Sequence, residues 1–252
     1  KTMKWIDAGD IKSWITSKQR HCQQTLPDLV RRLILATANT VEEIDFPSGD
    51  SIATGGWDGR LKTPVVTPFF PSGISGWEIG VENSPGKKAE EDYTKRTTDS
   101  LGLTPNESAF VFVTPRSFPK RGKWQSDKRS IGAWKDVRVI NSDGLEQWLE
   151  SAPAVALWLA RQIGKVISNG IRDLEAMWEE WSVGTKPVMT PTLVIGGRTR
   201  DVEVIQKWIT DAPRILEVQG DHPDEAFAFL YASIATLPET ERAQALARCV
   251  VV

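Results

Sequence analysis

Asp58 in TGGWDGRLK and Glu78 in ISGWEIGVE lie on two short segments of strand character, and Lys88 opens the helix-like run KKAEEDYTKRT. Two carboxylates and an amine in this order are the groups that a divalent cation and an activated water need to cut a phosphodiester. The acids hold the cation, which lowers the pKa of its water and neutralises charge gathering on the phosphate. Alternate side chains of a strand share a face, so Trp77, Ile79 and Val81 are expected in the core while Glu78, Gly80 and Glu82 point to an exposed side. If the Asp58 segment pairs with the Glu78 segment, the carboxylates converge on Mg²⁺, or on Mn²⁺ in its place, with the Ile79 carbonyl as a third oxygen. Gly80 leaves space for a scissile strand or for a side chain arriving from elsewhere. Lys88 would orient the attacking water or stabilise charge developing on the phosphorane. Taken without further context, aspartate in GGWDG also reads as a turn residue and Glu78 as a solvated strand residue. Glu82, Asp50 and Asp92 could add to the acid cluster, but a surface role is expected for each.

Several elements must position these groups. Asp10 is expected to cap a helix through DIKSWITSKQRHCQQ, and Pro27 with Asp28 to restart a second one, LVRRLILATA, whose Leu26, Leu29, Val30, Leu33 and Ile34 repeat at helical spacing. From Val41 the period changes to that of strands: one around Ile44 and Phe46, then the Asp58 and Glu78 strands. A charged helix follows from about Lys87 to Thr98, then AFVFV, a central buried strand ending at Thr114, then VRVI and a helix DGLEQWLES capped by Asp143. The result is an α/β unit with a small mixed sheet flanked by helices, closed by AVALWLARQIGK and IRDLEAMWEEW and spanning residues 1–182. Residues 186–252 read as a small α/β module, with strands at TLVIGG, ILEVQG and CVVV between helices. Because CVVV reads as a strand entering a sheet, the natural polypeptide is expected to continue.

From Thr114 to Asp136, seven basic residues stand against two acids. A flexible basic loop after a central strand suits the DNA backbone, so Arg116, Lys120, Arg121, Lys123 and Trp124 are candidate DNA contacts, Arg116 foremost; an ordinary solvated loop would carry the same charges. Most of the eleven tryptophans are expected to be packing residues, Trp124 being the best exception.

Other chemistries find little support. His21 and His222 are far apart and are expected to be solvated or locally bonded, the serines lack a base and its orienting partner, and IGGR is too slight for a nucleotide site. Hydrophobic residues make up 40% and charged residues 25% of the 252, which favours a folded chain over a disordered one. A formal charge of -2 provides no overall field to draw the protein onto nucleic acid, so any such binding must be local. Two distant cysteines, apolar runs too short for a bilayer and an N-terminal stretch without a signal-peptide core point to a cytoplasmic protein with no membrane association.

An acid, a second acid on the next strand and a nearby lysine resemble the PD-(D/E)xK, or restriction-endonuclease-like, nucleases, including their Mrr-like branch. In that family the lysine commonly lies two residues after the second acid, where this chain has Gly80. In some branches it has migrated to the following helix, and Lys88 fits that position, with Lys87 as the fallback. The segments LPDLVRRLI, FPSGDS, GGWDG, SGWEIG, KKAEEDYTKRT, FVFVTPR, GAWKDV, LEQWLESAPAVALW and WEEWS resemble the N-terminal effector region of large bacterial antiphage ATPases of the STAND type, over residues 5 to 200. The resemblance implies a nuclease that cuts double-stranded DNA when a sensor and an ATPase of the same polypeptide drive oligomerisation. No GxxxxGK[ST] loop occurs, so the ATPase would lie downstream. Two sites must act on opposite strands, so a homo-oligomer is expected. The alternative is a catalytically inactive nuclease-like module for DNA binding or assembly, which the missing strand lysine permits.

Overall fold

A computed structural model describes residues 4–47, 56–167, 170–211 and 215–252. By spatial contact the chain divides into two compact units, Lys1–Ala152 and Pro153–Val252. The two helical stretches expected to close the first unit therefore belong to the second.

The first unit begins with helices α1 (Ala8–Ser17) and α2 (Gln19–Thr37). Asp7, not Asp10, is the N-cap of α1, and Asp10 completes a reciprocal capping box with it. The chain breaks at Lys18 and then runs helically straight through Pro27. Proline inside a helix costs roughly 3 kcal/mol, but Leu26, Leu29, Val30, Leu33 and Ile34 are all fully buried, and that burial outweighs the lost hydrogen bond.

A five-stranded sheet follows, in the order β1 (Glu43–Asp45), β2 (Gly59–Thr63), β3 (Gly73–Ile79), β4 (Ala109–Val113) and β5 (Asp136–Ile140). The first three strands are antiparallel, and β3, β4 and β5 are parallel. The parallel crossovers are α3 (Pro85–Thr98) and α4 (Arg121–Ile131), and α5 (Ser142–Glu150) follows β5. Asn141 caps α5 by accepting from the Gly144 amide, whereas Asp143, the expected cap, sits in its first turn. The middle of the stretch expected as a flexible basic loop forms α4, which ends at Gly132 in the left-handed region (φ 70°).

Both faces of the sheet are covered. On one, Trp77 packs against Phe46 and Trp148, and the Trp148 indole donates to Thr37 Oγ1, which ties α5 to α2. On the other, Phe110, Phe112, Val137 and Val139 pack under Ala89 and Tyr93 of α3, with Trp57 and Trp134 completing the layer. Every residue of AFVFV is buried, as a central parallel strand requires.

The second unit contains α6 (Pro153–Ile163), β6 (Arg172–Asp173), α7 (Leu174–Ser182), α8 (Pro191–Ile195), α9 (Thr199–Thr210), α10 (Pro223–Ala235), α11 (Glu239–Leu246) and β7 (Val250–Val251). Its core joins Leu174 and Met177 to Ile234, Leu237, Ala245 and Val251. The expected strand–helix alternation is not formed. TLVI lies in α8, because Thr190 and Pro191 occupy the N-cap and first helical positions, and residues 215–220 have no regular structure. Val250–Val251 do form a strand, paired antiparallel with β6.

Candidate functional site

The site is built where β2 enters the sheet and β3 leaves it. In the antiparallel register Gly59 faces Trp77, so the next pair outward is Asp58 and Glu78. Asp58 lies in the bend just before β2, close enough to Glu78 for its charge to act on that carboxyl. Asp58 Oδ2 accepts from the Ile79 amide at 2.7 Å, which fixes the aspartate against the end of β3. The amide and carbonyl of one extended residue point the same way, so the Ile79 carbonyl also faces Asp58.

Position 76 explains the aromatic beside Asp58. A Cβ there would stand 2.7 Å from the Trp57 indole, so Gly76 is the floor on which Trp57 lies. The indole N–H donates to the Ser100 carbonyl at 3.0 Å. With Trp57 anchored in this way, Asp58 follows in a fixed place.

Glu78 is not exposed as expected; only 4% of its surface is accessible. The face opposite Trp77 meets α3 rather than water, and Arg96 of that helix donates to Glu78 Oε1 and to the Gly56 carbonyl. The Arg96 guanidinium lies 5.0 Å from the centre of the Trp57 ring. Burial, followed by the charge of Asp58, pushes the Glu78 carboxyl up to about 8, against the opposing pull of Arg96.

Lys88 reaches the site from the first turn of α3. A Cβ at Gly80 would stand 2.6 Å from Phe112 Cζ and 2.9 Å from Lys88 Cγ. The lysine stem thus lies in the space that a side chain two residues beyond Glu78 would fill. Its ammonium donates to Asp92 Oδ1 at 2.7 Å, and Asp92, Glu82 and Glu78 together raise its pKa against the opposing effect of burial. Lys87 points elsewhere, with a 78%-exposed side chain 3.7 Å from Glu91.

Asp92, a possible addition to the acid cluster for which a surface role is expected, belongs to it, and Arg96 was missed. Asp92 is 4% exposed, not a surface residue, and its pKa is raised by burial in the first place. The signal was present in the helix: Lys88, Asp92 and Arg96 are spaced four apart, on the stripe that carries the buried Ala89 and Tyr93. Glu82 stays exposed, and Asp50 lies outside the described residues.

Among the described residues no group of three or more histidines, cysteines or acids is arranged to hold a metal. The candidate donors are two carboxylates and the Ile79 carbonyl, all oxygens. That set suits a hard cation such as Mg²⁺, which takes one or two carboxylates and fills its octahedron with water and phosphate oxygens. A cation between Asp58 and Glu78 would also relieve the repulsion that raises the Glu78 pKa.

The basic candidates separate into two kinds. Arg116 is half-buried, and its Nε donates to the Val81 carbonyl at 2.8 Å, joining the ends of β3 and β4. Lys120 and Lys123 are exposed and Arg121 half-buried, at the start of α4, beside the carboxyl ends of the parallel strands. Trp124 is instead wedged against Tyr93 and Phe118, and its N–H donates to Glu90 at 2.8 Å. Its geometry is that of a packing residue. Lys128 and Arg129 are held by Glu90 and Asp136. Both histidines are locally bonded: His21 accepts from the Trp14 indole, and His222 caps α10.

Comparison of the chain with family models, curated proteins and solved structures returned no match. Among the described residues no helix is long and apolar enough to cross a membrane.

Proposed function

We propose that the first unit is a metal-dependent endonuclease domain that hydrolyses phosphodiesters of double-stranded DNA. The observation that carries this reading is Asp58, just before β2, within range of the Glu78 carboxyl of β3, with the Lys88 stem laid over Gly80. Asp58, Glu78 and the Ile79 carbonyl would hold Mg²⁺ or Mn²⁺, which supplies an activated water and neutralises phosphate charge. Lys88 presents its ammonium to the attacking water or to the phosphorane oxygens. Arg116 and the start of α4, with Lys120, Arg121 and Lys123, lie toward the carboxyl ends of the parallel strands, where they would contact phosphates without reading sequence. In the wider setting that the sequence resemblance implies, this unit is a cytoplasmic antiphage effector, active when a downstream ATPase and sensor bring copies together.

Supercoiled plasmid incubated with the protein and Mg²⁺ or Mn²⁺ tests the proposal. Wild type is expected to nick and linearise the plasmid, and Asp58→Asn, Glu78→Gln and Lys88→Ala to lose cutting while keeping a native circular-dichroism spectrum. Retained cutting by both acid variants refutes the assignment.

A second reading is favoured by one contact: Arg96 already neutralises Glu78. On that reading the unit is a nuclease-like module that binds DNA or assembles without catalysis. It predicts DNA binding with no nicking at any protein concentration.

A further inference from the structure

Among the described residues, the buried side-chain atoms without a hydrogen-bond partner include one carboxylate oxygen, Asp92 Oδ2. Such an atom is rare in a native protein and calls for a reason, because desolvating an acceptor without replacing its bond is unfavourable. Packing does not supply one. Asp92 is 4% exposed, its other oxygen holds the Lys88 ammonium at 2.7 Å, and it lies close enough to Asp58 and Glu82 for their charges to act on it. An alanine or leucine at this position of α3 would fill the interface beside Ala89 and Tyr93 with no orphaned oxygen. The carboxylate instead binds the lysine of the candidate site and lies within range of the charge of one of its two acids.

We propose that Asp92 is a positioning residue of the hydrolytic site, which holds the Lys88 ammonium through Oδ1 while the lysine stem lies over Gly80, and accepts a hydrogen bond from the attacking water through Oδ2. This inference rests on the nuclease reading above. No proton is assigned to Asp92: its part is to fix the direction of one water and one ammonium, and misplacement of such groups by about 1 Å is enough to lower a rate roughly 100-fold. The pairing also accounts for a lysine on a helix serving in place of one on a strand. A side chain rooted in β3 would be aimed by the sheet, whereas one arriving from α3 needs a partner to aim it, and the residue one turn along supplies it.

The test uses the whole chain, supercoiled plasmid and Mn²⁺. Asp92→Asn keeps an acceptor for Lys88 but replaces the orphaned oxygen with a donor. It is expected to cut roughly 100-fold more slowly, to bind Mn²⁺ within about twofold of wild type, and to melt in EDTA within about 3 °C of it. Lys88→Ala, Asp92→Ala and the double variant should show similar losses, since residues that act as a unit are not additive. Wild-type cutting by Asp92→Asn overturns the inference. So does loss of Mn²⁺ binding in parallel with cutting, which would make Asp92 a ligand, or a loss that follows the melting temperature, which would make it structural. Additive losses in the double variant also overturn it. If wild type itself fails to cut, the nuclease reading falls and the inference falls with it; wild-type cutting with an indifferent Asp92 removes the inference alone.

Discussion

The buried Glu78 carboxyl should make the first unit lose stability as pH rises through neutrality, and a divalent cation should reverse that loss. In the folded protein its pKa lies near 8, against 4.5 for an ordinary glutamate. A carboxyl raised on folding contributes stability that is fully present below its unfolded pKa and is lost as pH climbs through the folded one. Asp92 is raised as well and acts in the same direction. At about 1.4 kcal/mol per unit, the rise from pH 5.5 to 8.5 should remove roughly 3 kcal/mol in EDTA. Because the chain has two compact units, the measurement needs a reporter confined to the first, and the fully buried Cys22 serves. Urea titrations at each pH, followed by a pulse of thiol label at one common pH in a Cys249→Ser background, give the unfolding free energy of this unit. Glu78→Gln should flatten most of the slope, since the amide imitates the protonated acid. Saturating Mn²⁺ should stabilise wild type more at pH 8.5 than at 5.5, because the ion binds the carboxylate form. A wild-type profile that stays level between pH 5.5 and 8.5, or a slope that survives in Glu78→Gln, refutes the placement of this charge.

Gly80→Ala should destabilise the unit by about 1–3 kcal/mol, the usual range for overpacking, because the new methyl meets Phe112 and the Lys88 stem; urea unfolding measures the first effect and plasmid cutting the displacement of the lysine. Lys88→Ala should slow cutting roughly 100-fold or more while Lys87→Ala leaves it near wild type, since Lys87 faces solvent beside Glu91; equal losses in the plasmid assay would contradict the geometry. Lys120→Ala with Lys123→Ala should weaken binding to unrelated DNA duplexes alike and reduce the slope of log affinity against log salt by about 2, measured by fluorescence anisotropy. Trp124→Ala should lower the melting temperature more than it lowers DNA affinity, because its ring packs on Tyr93 and Phe118.

Much of the first unit can be read from local pattern. The apolar run AFVFV is a buried central strand in sequence and in space, and the change from helical to alternating spacing after Val41 marks where β1 begins. The second unit shows why such reading fails elsewhere. TLVI has the composition of a strand, yet Thr190 and Pro191 start a helix there, and short apolar runs are ambiguous until a terminus signal decides them. Pro27 failed as a helix breaker for the opposite reason: a local penalty was overridden by tertiary burial of the face that carries it.

The site was legible in its strands and illegible in its helix. Alternation places Glu78 opposite Trp77 correctly, but it cannot say whether that opposite face meets water or another element. The answer lay in α3, where Lys88, Asp92 and Arg96 look like the solvated side of a charged helix because each is ionisable. Their spacing of four, in step with Ala89 and Tyr93, puts them on the buried stripe instead. A helix whose inward stripe is charged can pack only against a surface of matching charge, and in this unit the acids at the ends of β2 and β3 supply it. Arg96 answers Glu78 directly, Lys88 is answered by Asp92 within the helix, and Asp58 is held by the Ile79 amide. The pKa values of Glu78 and Asp92 are raised first by burial, and the neighbouring charge of Asp58 adds to the rise in both. A divalent cation held by the oxygens of Asp58 and Glu78 would favour the charged form of Glu78 and so act against the burial that raises its pKa.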